Sequence, residues 1–200
     1  MVMFCFDHRG QIVRYDLIET NEQVDAMRYV RQDDIVLELG ARFGGVSIIT
    51  NKILKNKKNH VVVEPDCRVW NALEDNKIRN HCDFQIVKGA ISNQKLKLND
   101  TGAYDGFATH TSISEDGDVP IYSLKDFNYD FNVLIADCEG FLGTFYQENK
   151  ELFSQLRLIL FEKDGVKDVI ETNYDSFIKE LLELGFKQIK GGPHYVFIKD

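Results

Sequence analysis

The chain has 200 residues, 44% of them hydrophobic and 28% charged, which suits one folded domain of ordinary size. Its 24 basic and 32 acidic residues give a formal net charge of −8. This balance counts against a nucleic-acid partner, because phosphate backbones are bound mainly by basic patches. No apolar run approaches the roughly 20 residues of a membrane span. The four cysteines form no CxxC pair, which favours reduced thiols and a cytoplasmic location.

The first 33 residues predict an N-terminal extension made of a β-hairpin and a helix. Residues 3–6 and 11–15 read as the two strands of the hairpin, with a glycine-containing turn between them. Thr20 or Asn21 could cap a helix that continues to about residue 30. The apolar residues that fall on one face of this helix are Val24, Met27 and Val30.

Strand and helix patterns then alternate over residues 34–198, which we take as the core of a single domain, although the chain could also be a domain cut from a longer protein. Strands are predicted at 35–39, 60–63, 84–87, 132–136, 156–161, 186–189 and 195–198, and helices at 44–54, 67–78, 144–153 and 174–184. Residues 101–118 are rich in Gly, Ser, Thr and Asp and are predicted to be a loop. The pattern indicates an α/β fold with a doubly wound, seven-stranded, mostly parallel sheet. The last strand follows a tight hairpin turn and should therefore run antiparallel.

A glycine-containing turn follows the first strand of this core. Glu38 ends the strand, Gly40 allows the backbone to turn tightly, and Gly44 opens a helix. Ligands of open α/β sheets bind at this edge. The spacing is GxxxG and differs from the GxGxxG that cradles a pyrophosphate. Because Glu38 suits a cation better than a phosphate, a cationic nucleoside is the expected ligand.

Two further segments would complete a nucleoside site. Glu64 ends the second strand, where a carboxylate can accept both ribose hydroxyls, and Pro65 follows it at a helix entry. Ala90 and Ile91, after the third strand, could flank an adenine ring. The alternative for Ala90 and Ile91 is ordinary core packing.

An apolar strand at 132–136 delivers Asp137 and Glu139 to the same edge of the sheet. With these residues, the order of motifs resembles the FkbM family of S-adenosylmethionine (SAM)-dependent methyltransferases. The matching segments are residues 38–44, Glu64-Pro65, 89–92 and 135–140. Arg42 departs from the family, which usually has Asn there.

The resemblance implies a class I methyltransferase, with a Rossmann-like fold, that uses SAM to methylate a hydroxyl, most often of a sugar. Carried over residue by residue, the cofactor-binding candidates are Glu38, Gly40, Ala41, Arg42, Gly44, Glu64, Pro65, Ala90, Ile91 and Asp137. The expected acceptor is a small molecule or glycan, with no nucleic acid and no membrane span. The oligomeric state is not indicated.

A sugar hydroxyl is a weak acid, so a base or a metal must assist its attack. The candidate bases are Asp137, Glu139 and His110. No residue is predicted to be a metal ligand, although Asp137 with Glu162 or Asp164 could hold Mg²⁺ through oxygen atoms. Tyr104 or Phe107 could stack on a sugar ring.

Two other functions stay open at this point. A nicotinamide-dependent oxidoreductase is disfavoured by the absent GxGxxG and by the reversed last strand. A methyltransferase-like binding module without activity is disfavoured by the presence of Glu38, Gly40 and Glu64.

Overall fold

The computed structural model describes residues 5–14, 19–99, 110–163 and 172–199. The strands in these ranges are β1 Cys5–Phe6, β2 Ile12–Val13, β3 Val36–Leu39, β4 His60–Glu64, β5 Gln85–Lys88, β6 Ala90–Ile91, β7 Leu96–Asn99, β8 His110–Ile113, β9 Ile121–Tyr122, β10 Val133–Ala136, β11 Leu158–Glu162, β12 Lys187–Lys190 and β13 His194–Ile198. The α-helices are α1 Thr20–Tyr29, α2 Gly45–Ile53, α3 Trp70–Arg79, α4 Leu142–Glu148, α5 Lys150–Gln155 and α6 Tyr174–Glu183. No helix in the described ranges is both long and apolar enough to span a bilayer.

Seven strands form the central sheet in the order β12-β13-β11-β10-β3-β4-β5. Neighbours from β5 to β11 are parallel, whereas β13 is antiparallel to both β11 and β12. The predicted doubly wound, mostly parallel sheet with a reversed last strand is confirmed. The predicted N-terminal hairpin is present as β1 paired with β2.

The sheet is covered on both faces, which explains why its central strands are apolar along their whole length. Every residue of β3, β4 and β10 is buried. Alternate residues of β10 enter different cores: Val133 and Ile135 pack with Ala26 of α1, whereas Leu134 packs with Phe145 of α4. This two-sided burial is typical of parallel sheets with helices on both faces.

The strand order reverses between β3 and β10. The chain moves outward from β3 through β4 to β5, then returns to place β10 on the other side of β3. At such a reversal the connections leave the two central strands in opposite directions and open a crevice at their carboxyl ends. The fold therefore offers a binding crevice beyond Leu39 and Ala136.

The predicted apolar face of α1 is wrong in part, because Val24 and Met27 are 51% and 56% exposed. Val30, the third predicted residue, is buried as expected; Ala26 faces the sheet with it, and Asp25 is buried against Lys190 at a distance of 2.5 Å. This ion pair turns a polar face of the helix inward. The predicted caps Thr20 and Asn21 are also wrong, since both lie inside α1.

Two other boundaries differ from the prediction. The segment predicted as a loop contains β8, whose Ile113 and His110 pair with Leu96 and Asn99 of β7. The predicted helix 144–153 is two helices that meet at Asn149, whose side-chain amide donates to the Phe145 carbonyl at 2.9 Å. A side-chain amide that donates to a backbone carbonyl of the helix competes with the backbone N–H for that acceptor and interrupts the helix.

Candidate functional site

A cavity of about 820 Å³, counted with its open mouth, lies in the crevice at the carboxyl ends of β3, β4 and β10. We call it the larger cavity. It is lined by Glu19, Leu39, Gly40, Arg42, Val63, Glu64, Pro65, Val69, Ala90, Ile91, Thr111, Asp137, Cys138, Glu139, Phe141 and Phe145. The crevice that the strand order creates thus contains an open cavity, where ligands of doubly wound sheets bind.

Gly40 shapes the floor of the larger cavity. Its φ is +82°, and a Cβ atom built there would lie 1.6 Å from the carbonyl oxygen of Asp137. The Gly40 amide donates to the Val63 carbonyl at 3.0 Å, which ties the turn to the end of β4. Only glycine allows this close approach of two backbones, so the residue type is required by the geometry of the crevice.

Glu64 is the buried acid of the larger cavity, with 4% of its surface exposed. Its two oxygens accept the backbone amides of Arg42, at 2.6 Å, and of Asp66, at 2.8 Å. Burial raises the pKa of Glu64 to about 7, although the two amide bonds oppose the shift. Each carboxylate oxygen has a second lone pair, so Glu64 can still accept hydroxyl groups from a ligand.

Trp70 contacts the backbone of the same acid. Its indole Nε1 donates to the Glu64 carbonyl oxygen at 2.8 Å, and the Lys88 ammonium lies 5.7 Å from its ring centre. These contacts fix the backbone at the end of β4. The Glu64 carboxylate is therefore held by the amides of Arg42 and Asp66, and the Glu64 backbone by Trp70.

Glu38 is placed differently from Glu64. It is 2% exposed, and its oxygens are bonded to the Ser47 hydroxyl at 2.5 Å and to His60 Nε2 at 2.9 Å. These bonds join the end of β3 to α2 and β4. Glu38 and Ala41 line a smaller cavity, described below, and Gly44 packs near Leu73 of α3. The cofactor role of these three residues stays a prediction.

Two of the three candidate bases line the larger cavity, and the third lies beside one of them. Asp137 and Glu139 line it directly, and His110 on β8 is buried, with its Nδ1 atom 3.9 Å from Glu139 Oε2. Glu139 has a φ of +48°, an unusual value for a residue with a side chain. The assignment of a base among them stays a prediction.

A smaller cavity of about 480 Å³ adjoins the larger one, and Glu19, Leu39, Gly40 and Asp137 line both. Its other lining residues come from α1, α2, β10, β11 and β13 and the end of β3: Glu22, Asp25, Glu38, Ala41, Val46, Ile135, Ala136, Leu160, Phe161, Glu162, His194 and Tyr195. Many of these side chains are acidic, so the smaller cavity favours a cation or a hydroxyl-bearing ligand over an anion.

No known protein family matches the sequence, and no curated protein matches it either. Solved structures do match the fold. An O-methyltransferase from Bacillus cereus in complex with SAH is 13% identical, with 94% of this chain and 84% of that chain covered and a TM-score of 0.56. The O-methyltransferase TomG from Streptomyces achromogenes in complex with SAM is 10% identical, with coverage of 90% and 80% and a TM-score of 0.54. A precorrin-6y C5,15-methyltransferase from Geobacter metallireducens is 14% identical, with coverage of 91% and 89% and a TM-score of 0.54.

The chain has the class I methyltransferase fold. This confirms the fold predicted from the sequence, while the FkbM resemblance is a finer statement that these structures leave open. The predicted cofactor and catalytic residues that line the larger cavity of this methyltransferase fold are Gly40, Arg42, Glu64, Pro65, Ala90, Ile91, Asp137 and Glu139.

Sequence reasoning missed several residues of this methyltransferase-fold cavity. Phe141 and Phe145 are four apart in sequence and follow the Asp137 strand, a spacing that could have placed both on one side of a helix. Glu19 precedes α1, and no local pattern marks it as a site residue. Burial and the neighbouring Glu22 raise the pKa of Glu19 to about 8. Tyr104, Phe107 and Asp164 lie outside the described residues.

Proposed function

We propose that the chain is a SAM-dependent methyltransferase that transfers a methyl group to a hydroxyl. The observation that carries the proposal is the buried Glu64 carboxylate, which lies at the end of the second core strand and lines the larger cavity. An acid in this position of a doubly wound sheet suits the two hydroxyls of a ribose. The neighbouring glycine turn is not built for a pyrophosphate, which favours a nucleoside without phosphates.

The residue types that line the larger cavity match the successive parts of SAM. Glu64 would hold the ribose, and the apolar side chains of Val69, Ala90 and Ile91 would surround the adenine. Gly40 and Asp137 border the cavity where it joins the smaller one and would receive the methionine part. When bound, SAM supplies an electrophilic methyl group on a sulfonium.

The chain itself would contribute orientation and proton removal. Holding the acceptor oxygen in line accounts for much of the acceleration in displacements of this kind. Asp137 lies between the two cavities and is our first candidate for accepting the hydroxyl proton. Glu139 and His110, whose atoms lie 3.9 Å apart, are the second candidates.

We further propose a sugar hydroxyl, on a small molecule or a glycan, as the acceptor, and membership of the FkbM family. Both rest on the order and spacing of residues 38–44, Glu64-Pro65, 89–92 and 135–140. The acidic lining of the smaller cavity is compatible with this choice, because carboxylates accept hydrogen bonds from hydroxyl groups.

Calorimetric titration with SAM, SAH and NAD⁺ tests the cofactor. We expect SAM and SAH to bind and to raise the melting temperature, since a ligand that binds only the folded state stabilises it. NAD⁺ should bind weakly or not at all. Stabilisation by NAD⁺ alone would favour an oxidoreductase, and no affinity for SAM or SAH would remove the proposed activity.

Asp137→Asn is expected to lower turnover by a factor of about 100 or more, because the amide cannot accept the acceptor's proton. The melting temperature should change little, since the substitution preserves the shape of the side chain, and turnover is compared at saturating SAM. The measurement is SAH formation with a panel of monosaccharide acceptors, and Asp116→Asn, at an exposed turn, is the matched control. Near-normal turnover of Asp137→Asn would move the base to Glu139 or His110.

A further inference from the structure

Three side chains that can bind a metal converge in the smaller cavity. Glu22 comes from α1, Glu162 ends β11, and His194 begins β13. One ligand atom from each lies within 4.8 Å of the other two. Glu162 and His194 are direct partners in the antiparallel register of β11 and β13, so the sheet itself fixes their spacing.

We propose that Glu22, Glu162 and His194 form a binding site for a divalent transition-metal ion. His194 Nδ1 lies 3.2 Å from Glu22 Oε1. Adjacent ligand atoms around an ion with bonds of about 2.0–2.2 Å are separated by about 3.0–3.5 Å, so this pair already has the required spacing. The Glu162 oxygen lies within 4.8 Å of both atoms and would have to move closer to complete a face of three ligands.

The surroundings of His194 give a second indication of a metal site. Among the described residues, the buried Nδ1 atom of His194 has no partner that meets hydrogen-bond geometry, although Glu22 Oε1 lies 3.2 Å from it. Buried polar atoms normally have partners, and an exception calls for an explanation such as an ion. The imidazole nitrogen could point its lone pair at a metal, with the two carboxylates completing the set.

The surrounding charges favour a cation at this point. Asp25, which lines the same cavity, is paired with Lys190, and Glu38 is bonded to Ser47 and His60. Those two acids are therefore held by neighbouring side chains, and one oxygen each of Glu22 and Glu162 lies within 4.8 Å of the other and of a His194 ring nitrogen. Two carboxylates placed close together repel each other, and a divalent ion would relieve that repulsion.

The ligand set indicates which metal ions fit. One imidazole and two carboxylates suit Zn²⁺, Mn²⁺, Fe²⁺ or Co²⁺, whereas Mg²⁺ and Ca²⁺ prefer oxygen ligands alone. Three protein ligands leave coordination positions open. This differs from the sequence-based possibility of Asp137 with Glu162 or Asp164, because the structure groups Glu162 with Glu22 and His194.

The position of the site suggests its use. The smaller cavity shares Gly40 and Asp137 with the larger one, so an ion there would lie beside the proposed point of methyl transfer. In this role, which rests on the proposed function, the ion would bind an acceptor hydroxyl and make it a stronger acid. Metal binding itself does not depend on the proposed function.

The test is titration of the EDTA-treated full chain with Co²⁺, followed by visible absorption, and with Zn²⁺ and Mn²⁺ by calorimetry, without SAM. We expect one Co²⁺ per chain and no comparable binding of Mg²⁺. His194→Asn and Glu162→Gln should each weaken Co²⁺ binding at least tenfold and change its absorption spectrum. The matched controls His81→Asn and Glu183→Gln, both at exposed positions, should bind Co²⁺ as the natural chain does.

Two outcomes would overturn the proposal. If the natural chain binds none of Co²⁺, Zn²⁺ and Mn²⁺, then Glu22 and His194 form an ion pair only. If His194→Asn and Glu162→Gln both retain full affinity, the metal binds elsewhere. A chain that binds Co²⁺ at this site but does not bind SAM would refute the proposed methyltransferase and leave the metal site standing.

Discussion

Gly40→Ala is expected to destabilise the folded chain by about 3 kcal/mol or more and to abolish SAM binding. The added Cβ would lie 1.6 Å from the Asp137 carbonyl oxygen, and both partners belong to the backbone. Neither can rotate away, so β3 and β10 would have to separate at their carboxyl ends. Overpacking of this kind typically costs 1–3 kcal/mol, to which the left-handed backbone adds roughly 1–2 kcal/mol. Urea unfolding followed by circular dichroism measures the effect.

Gly185→Ala is the matched control for this substitution. Gly185 also has a positive φ, of +90°, but no atom lies within 4 Å of a Cβ atom built there. It should therefore lose only the roughly 1–2 kcal/mol of backbone strain. Equal losses for Gly40→Ala and Gly185→Ala would show that the close approach to Asp137 is unimportant.

Glu64→Ala is expected to weaken SAM binding at least tenfold. The carboxylate would accept both ribose hydroxyls, and a hydrogen bond to a charged group contributes roughly 1.5–3 kcal/mol. The substitution also leaves the amides of Arg42 and Asp66 without their acceptor, so some loss of stability should accompany it. Glu74→Ala is the control, because Glu74 forms only a half-exposed pair with Lys88. Unchanged calorimetric affinity of Glu64→Ala would remove Glu64 from the cofactor site.

Because the pKa of Glu64 is raised, SAM binding should depend on pH in the neutral range. Ribose hydroxyls donate to the ionised carboxylate, so binding should weaken as the pH falls through about 7 and be about tenfold weaker at pH 6 than at pH 8. For the ligand-free chain, Glu64 should contribute the opposite trend: because its folded pKa exceeds its ordinary 4.5, the stability that it contributes is lost as the pH rises from 4.5 to about 7. Glu64→Gln should remove the pH dependence of binding that Glu64 causes and reduce that of stability, to which Glu19 also contributes through its pKa of about 8.

The parts of the molecule that the sequence predicted are those fixed by local chemistry. Runs such as residues 132–136 are apolar because parallel strands are buried on both faces, and this pattern is visible without coordinates. The glycine turn and the acid at the end of the second strand follow strands directly. Gly40 and Glu64 therefore reach the larger cavity as a consequence of topology alone.

The parts that the sequence did not predict depend on contacts between distant residues. Val24 and Met27 look like the inner face of α1, but the ion pair of Asp25 with Lys190, far along the chain, selects another face. Glu38 looks available to a ligand, yet His60 and Ser47 occupy its oxygens. No local sequence pattern predicts these contacts between distant residues.

The proposed metal site in the smaller cavity could not be predicted from the sequence either. Glu22 and His194 are far apart in sequence and belong to segments that carry no metal-binding motif. Only the packing of α1 across the ends of β11 and β13 brings them together. Sequence motifs for metal sites place ligands at fixed spacings within one segment, whereas the ligands of this proposed site come from three separate secondary-structure elements.

The bracing of Glu64 by Trp70 also provides an optical probe. Trp70 is the only tryptophan of the chain, and its indole N–H is bonded to the backbone oxygen of the residue proposed to hold the ribose. Indole emission responds to changes in its immediate surroundings. The intrinsic fluorescence of the unlabelled protein should therefore change when a nucleoside reaches Glu64, so that occupancy could be followed in real time by a stopped-flow instrument.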